Sequence, residues 1–486
     1  MLKFCKKVCT KRNLCGLVKS KKQITTTKES YTSISNSAST DSSSLFQKSK
    51  VLKVFLKVFD HFFGSINDFF NKVEEPRLER ADNYPLASLL FMGISMFLTR
   101  IKAVRQIKYM MNTEHSKTTF KTLFRVASIP HGSTLNGVFS ELDPDQIQLL
   151  PTKMVRILLK KKVLDTRKFL GKFTPVAIDG TGVYKFKKRH CEHCLTKKDS
   201  KTGKIKYYYH MVLEAKLVTR DGLALSLISE FVENPHENPS KQDCETKAFH
   251  RLAEKLKKAF PKLPIILILD GLFAEGPMFQ TCKTNKWEFM IVLKDKDLSS
   301  VNQEFRNLKV LQPENSRTIR KDGVSQCFTW CNEIDYWDTK KLKHRLNVLE
   351  CREIANGKNT KYQWISSIPI TSDNVAELAR TGRSRWVIEN QGFNVQKNLG
   401  FEMEHPYTTD PGGMKVYYYL LQIAHTWVQL CERGSLLKRV IKEDFGALKN
   451  LAFLLLEEWR NTTLNSLDWV ALKLAAVQIR FAQLET

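Results

Sequence analysis

The chain has 486 residues, 78 Lys+Arg against 50 Asp+Glu, and a formal net charge of +28 at pH 7. A hydrophobic fraction of 42% suffices for a large core. Eleven cysteines, an odd number at irregular spacing, exclude the disulfide framework of a small secreted protein and point to a reducing interior. The basic excess is spread along the chain and suggests a polyanion partner, because phosphate neutralisation by Lys and Arg dominates nucleic-acid affinity. A basic protein without such a partner is the plainer reading.

In chain order, residues 1–22 hold eight basic side chains and no acid, with Cys5, Cys9 and Cys15, but lack the apolar core of a secretory signal. A loose basic arm or a transit peptide are the two readings. Residues 23–48 are Ser/Thr-rich and too poor in large apolar groups to offset their ordering entropy, so 1–48 reads as a basic arm and disordered linker. Residues 49–170 read as helical, with Val51, Val54, Phe55, Val58, Phe59, Phe62 and Phe63 at three- and four-residue spacing and a second helix after Pro85. The apolar run Leu86 to Leu98 is too short to span a bilayer comfortably and reads as a buried helix, so no membrane partner and a cytoplasmic location are expected. A turn around Ser128–Thr134 leads into a short helix starting at Ser133 or Thr134, both good caps. This helical region binds DNA through such a turn or serves as a plain scaffold.

Residues 171–296 change character. Strand-like runs at 174–178, 207–218 and 223–231 precede a helix at 244–259, a buried strand at 265–269, a short helix after Pro277 and a strand at 287–293. Three meandering strands followed by alternating units predict an α/β fold, a mixed sheet with helices on its faces, in the order of the ribonuclease-H-like core. Residues 297–372 read as a β-rich insertion, with strands at 325–336, 345–353 and 362–370 and a hairpin signal at Asn356-Gly357. Helical patterns return over 373–486, broken at 406–413.

Three acids stand out on this frame. Asp179 ends the run Val176-Ala177-Ile178, Asp270 ends Ile265 to Leu269, and each is followed by glycine; Glu389 sits in the helical segment Arg385 to Asn390. A lone strand-terminal Asp-Gly is most often a turn. Two of them with a helix-borne Glu, in this order, suit a site for Mg2+, a hard cation that prefers oxygen ligands. Arg385 lies four residues before Glu389, on the same helix face, either as an ion-pair partner or as a phosphate grip.

With Arg385, these acids make the sequence resemble the DDE transposases of bacterial insertion sequences, in the branch with a β-rich insertion and a Tyr-Arg-Glu-Lys signature. The resemblance runs from about residue 80 to 430. The segments His190-Cys191-Glu192-His193-Cys194-Leu195, Lys241-Gln242-Asp243-Cys244-Glu245 and Arg385 to Asn394 carry it further. It implies Mg2+-dependent cleavage at element ends and strand transfer into target DNA, with Asp179, Asp270 and Glu389 as ligands of two ions, Mn2+ able to substitute, and a homodimer on nucleoid-associated DNA. A DNA-binding protein of the same fold without catalysis, or a nuclease that cuts without joining, are the alternatives. The signature departs at two places: its Tyr position falls on Gly382 and its Lys position on Gln396, with Lys397 one residue on. Members of the branch stack a Trp from the insertion on a flipped base, which makes Trp330 and Trp337 candidates, with burial in the core as the other reading.

The Cys-x-x-Cys of Cys191 and Cys194, beside His190 and His193 in a Lys-rich segment, suits a structural Zn2+, with Cys244 as a fourth ligand; free cysteines on a flexible loop are the alternative. Asp243 and Glu245 read as helix-opening acids favoured by the dipole, and His210 as a satisfied core histidine.

Overall fold

The computed structural model describes Phe46 and residues 50–77, 83–236, 239–441 and 446–481. The arm and linker expected over 1–48 lie, Phe46 apart, outside the described residues.

The first helices are α1 (Lys50–Phe63), α2 (Ile66–Phe70), α3 (Leu86–Leu98), α4 (Ile107–Met110), α5 (Glu114–Phe124), α6 (Gly132–Glu141) and α7 (Pro144–Lys160). The apolar spacing read over α1 is realised: Val51, Val54, Phe55, Val58, Phe59 and Phe62 are all buried. Helix α3 is buried almost all round, as its composition requires. Helix α6 begins one to two residues earlier than its Ser and Thr suggest, because His131 takes the capping position and its Nδ1 accepts from the Ser133 amide at 3.3 Å.

The sheet follows: β1 (Thr174–Phe186), β2 (Leu195–Lys198), β3 (Ile205–Val218), β4 (Ala224–Val232), α8 (Glu245–Ala259), β5 (Ile265–Leu269), α9 (Gly276–Asn285), β6 (Glu288–Val292), α10 (Ser299–Leu311), β7 (Ser316–Lys321), β8 (Val324–Trp337), β9 (Lys343–Ala355) and β10 (Lys358–Ser366). These strands form one ten-stranded mixed sheet in the order β2-β3-β1-β5-β6-β10-β9-β8-β7, with β4 on β3. Strands β1, β5 and β6 run parallel; β3 and β10 pair antiparallel at either side of that trio. The ribonuclease-H-like order expected from the sequence is therefore present. The insertion is a meander that continues the same sheet through β10, turning at Asn356 and Gly357, both with positive φ. It opens with a helix, α10, that strand counting missed; Val301 and Phe305, four apart, are buried on one face of it.

After the sheet come α11 (Val375–Arg383), a π-helix (Ile388–Phe393), α12 (Asn394–Asn398), α13 (Pro411–Arg433), α14 (Ser435–Val440), α15 (Leu448–Asn461) and α16 (Ser466–Leu474). The break expected at 406–413 ends earlier, since Pro411 opens α13 and Asp410 caps it by accepting from the Gly413 amide at 2.7 Å. Helix α13 is the spine of the helical part. It packs against α1, α3, α6, α7 and β4, so helices before and after the sheet share one core. A buried polar knot lies where it meets β3. Lys216 pairs with Glu214 at 3.2 Å and bonds Gln422 at 2.6 Å, while Tyr418 donates to Glu214 at 2.7 Å. Every charge in this knot has a partner, which is the condition for burying it.

Candidate active site

The parallel register sets the first two acids side by side. Thr174 pairs with Ile265 and Ala177 with Ile268; carried on by two residues, the same register aligns Asp179 with Asp270 at the carboxyl edge of the trio. Strand alternation then points Asp179 and Gly180 to opposite faces. On the face of Asp179 the π-helix packs against β1 and β4 and brings in Glu389. Its Gly392 lies against the Lys216 side chain, so the buried knot is also the floor under this segment.

Arg385 ties the arrangement together. Its Nη1 lies 2.6 Å from Glu389 and 3.3 Å from Asp179. The guanidinium is buried, and among the described residues its Nε has no hydrogen-bond partner. Burial raises Asp179 most, Arg385 draws it back and Glu389 raises it again, for a net pKa of about 7. Asp270 has a different balance. Burial opposes its ionisation, but the Lys294 ammonium at 3.0 Å, the Gly271 amide and Arg385 outweigh it and hold the carboxyl below its ordinary value.

Two residues of this edge were not anticipated. Lys294 follows β6, at the same carboxyl edge as both aspartates, and only that topological position signals it. Glu245, read as a helix-opening acid, reaches over Gly180 from the other face: its Oε1 occupies the space that any side chain at 180 would need. Burial first, then the charge of Asp270, raises the Glu245 carboxyl. Asp243 keeps its helix-end role, accepting from Arg251 at 2.6 Å and from the Glu233 amide at 3.2 Å.

A sequence family described as Transposase DDE domain matches residues 171–426, more than half of the chain, and one described as DDE_Tnp_1-associated matches residues 67–153. The chain belongs to the DDE transposase family. No curated protein matches it. Membership implies DNA as the partner and divalent metal ions as cofactors. The residues of this transposase suit such ions: the donors at this edge are carboxylate oxygens, and burial together with the neighbouring Glu389 raises Asp179 against the pull of Arg385. Among the described residues, no helix is long and apolar enough to cross a membrane.

The departures from the signature have structural causes. Gly382 lies against the Trp364 indole, leaving no room for a tyrosine. Gln396 is fully buried and bonds Gln422 and His425 at 2.8 and 2.9 Å, so it faces the knot rather than DNA. Lys397 is on the surface side, 2.9 Å from Glu404. A π-helix over Ile388–Phe393 adds residues per turn between Glu389 and these positions. The two insertion tryptophans separate. Trp330 is buried in the core cluster under the meander, the arrangement of the core reading. Trp337, at the end of β8, is 61% exposed. Trp386, next to Arg385, is a further exposed aromatic at the site, 53% accessible.

The cysteine–histidine segment joins β1 to β2 and assembles a cluster different from the one expected. Cys191 and Cys194 lie 3.5 Å apart, sulfur to sulfur, and His190 Nδ1 is 3.3 Å from Cys194. The fourth member is His210 of β3, with Nε2 3.4 Å from each sulfur. His193 instead turns to the Asn234 carbonyl at 2.9 Å, and Cys244 lies 3.2 Å from the Thr246 hydroxyl at the start of α8, so neither joins the cluster.

Proposed function

We propose that this transposase cleaves DNA at the ends of its element and joins the freed 3′-hydroxyl to target DNA, with Asp179, Asp270 and Glu389 holding two Mg2+ ions, for which Mn2+ can substitute. What supports the reading is that the buried Arg385 pairs with both Asp179 and Glu389, while the β1–β5 register aligns Asp270 with Asp179 at the same sheet edge. When bound, such ions activate an attacking oxygen and stabilise the leaving one. The protein's own residues do the positioning. Arg385 holds Asp179 and Glu389 in one geometry. Lys294 keeps Asp270 ionised and ready to bind a cation. Exposed Trp337 and the half-buried Lys397 are candidate DNA contacts, and a homodimer on nucleoid-associated DNA follows from the same reading.

The test is cleavage of a duplex carrying the element end. Asp270→Asn is expected to abolish cutting while leaving DNA affinity within a few-fold of wild type. Cutting by that variant at the wild-type rate would refute the proposal. An inert wild type would indicate a DNA-binding protein of the same fold, and cut ends without joined product a nuclease.

A further inference from the structure

We propose that His190, Cys191, Cys194 and His210 bind one structural zinc ion. The four donor atoms lie within 4.8 Å of one another. With Zn–S bonds near 2.3 Å and Zn–N bonds near 2.0–2.1 Å, the edges of a tetrahedron are about 3.3 to 3.8 Å. The four sulfur–sulfur and sulfur–nitrogen separations of 3.3, 3.5, 3.4 and 3.4 Å fall in that range. Two thiols that release their protons on binding would neutralise the charge of the ion, and two neutral imidazoles would complete four-coordination, the closed set of a structural site.

The surroundings hold these donors in place. The ladder partner of His210 is Tyr184 on β1, and its Nδ1 faces the Glu233 carboxylate at 3.8 Å, itself held by Lys415 at 2.7 Å. The His190 ring stacks on Phe186, with centroids 4.3 Å apart and planes 11° from parallel. Asn234 fixes the loop from below, donating from its side chain to the Cys194 carbonyl at 2.8 Å and from its amide to His193 at 3.2 Å. The ion would staple the β1–β2 connection to β3. That connection carries Lys187, Lys188 and Arg189, and β2 carries Lys197 and Lys198. A loop of this charge, held rigid on the strand that also carries Asp179, is a surface for a DNA backbone; this consequence rests on the transposase reading, whereas the metal site does not.

The experiment is elemental analysis of the full-length protein purified without chelators. About one zinc per chain is expected, falling by at least about five-fold in Cys191→Ser and in His210→Ala, and unchanged in His193→Ala and Cys244→Ser. Replacing zinc by Co2+ in the wild type gives a reading that needs no variant: strong d–d bands of a tetrahedral site with thiolate charge transfer. Stripping the metal should speed tryptic cutting at Lys187, Lys188 and Arg189. Wild-type protein without zinc, zinc retained by Cys191→Ser, or octahedral Co2+ spectra would each overturn the proposal. So would a Cys191–Cys194 disulfide in protein purified under reducing conditions. Zinc content is read independently of cleavage, so failure here leaves the Asp270→Asn test standing, and the reverse.

Discussion

The strand β1 carries chemistry at two places, and they differ in kind. At its middle, Asp179 shares Arg385 with Glu389 and aligns with Asp270, which pairs with Lys294, while Glu245 comes over Gly180 from the opposite face; these carboxylates are hard oxygen donors from elements far apart in the chain. Toward its end, Tyr184 and Phe186 frame a cluster of soft sulfur and nitrogen donors, three of which come from five consecutive residues. The acid site is partly open and charged, as a site that must admit a substrate has to be. In the cysteine–histidine cluster, Cys194 and His210 are buried and the four donors face one another, which leaves no position for a substrate. One strand thus bears a site fit for chemistry and one fit for holding a loop.

The contrast can be broken by crossing the two sets of substitutions. The largest effect expected is on the acids: Asp270→Asn or Glu389→Gln should lower cleavage roughly 1,000-fold or more with zinc content unchanged, as removal of a metal ligand does. Equal losses of zinc and cleavage in both sets would mean that the two sites are one unit. Arg385→Ala should cost about 100-fold in cleavage, and Arg385→Lys less, because an ammonium keeps the positive charge that the single Nη1 presents to both carboxylates. Wild-type rates in Arg385→Ala would reduce the residue to a surface-type ion pair.

Glu245→Gln probes whether the acid on the opposite face belongs to the site. About a ten-fold rise in the Mg2+ concentration needed for half-maximal cleavage is expected, with little change at saturation. An unchanged requirement would return Glu245 to a helix-end role.

The smallest effect sharpens the electrostatics. Asp179 has a folded pKa of about 7, above the ordinary carboxylate value. The native state therefore binds the proton more tightly than the unfolded chain. Its favourable contribution is complete below about pH 4 and is lost as pH rises through 7. In metal-free protein, Asp179→Asn should be more stable than wild type by about 1–3 kcal/mol at pH 8, with the gap closing toward pH 4. Thermal unfolding in chelator at both values checks it, and a gap that does not change with pH would sink the argument.

Some of this was readable in the sequence. Apolar runs ending in Asp-Gly located both aspartates, because a buried parallel strand is a continuous hydrophobic run; Asp270 follows the end of β5, whereas β1 continues past Asp179 to Phe186. The same patterning gave the mixed sheet, the meander and its Asn-Gly turn. Short-range spacing also found Cys191, Cys194 and His190. What failed was whatever depended on a neighbour across space. His210 looked like an ordinary alternating strand residue, and only the β1–β3 register brings it to the sulfurs. Glu245 does open its helix, as its position suggests, but its reach to the site edge was hidden, since only the absence of a side chain at Gly180 admits it. Trp330 and Trp337, seven residues apart on one strand, read alike until burial separated them. The chain's own chemistry dictated which groups were available and which apolar runs they ended; register, packing and the π-turn decided which of them meet, because side-chain contact across a sheet is set by pairing between segments that no local pattern records.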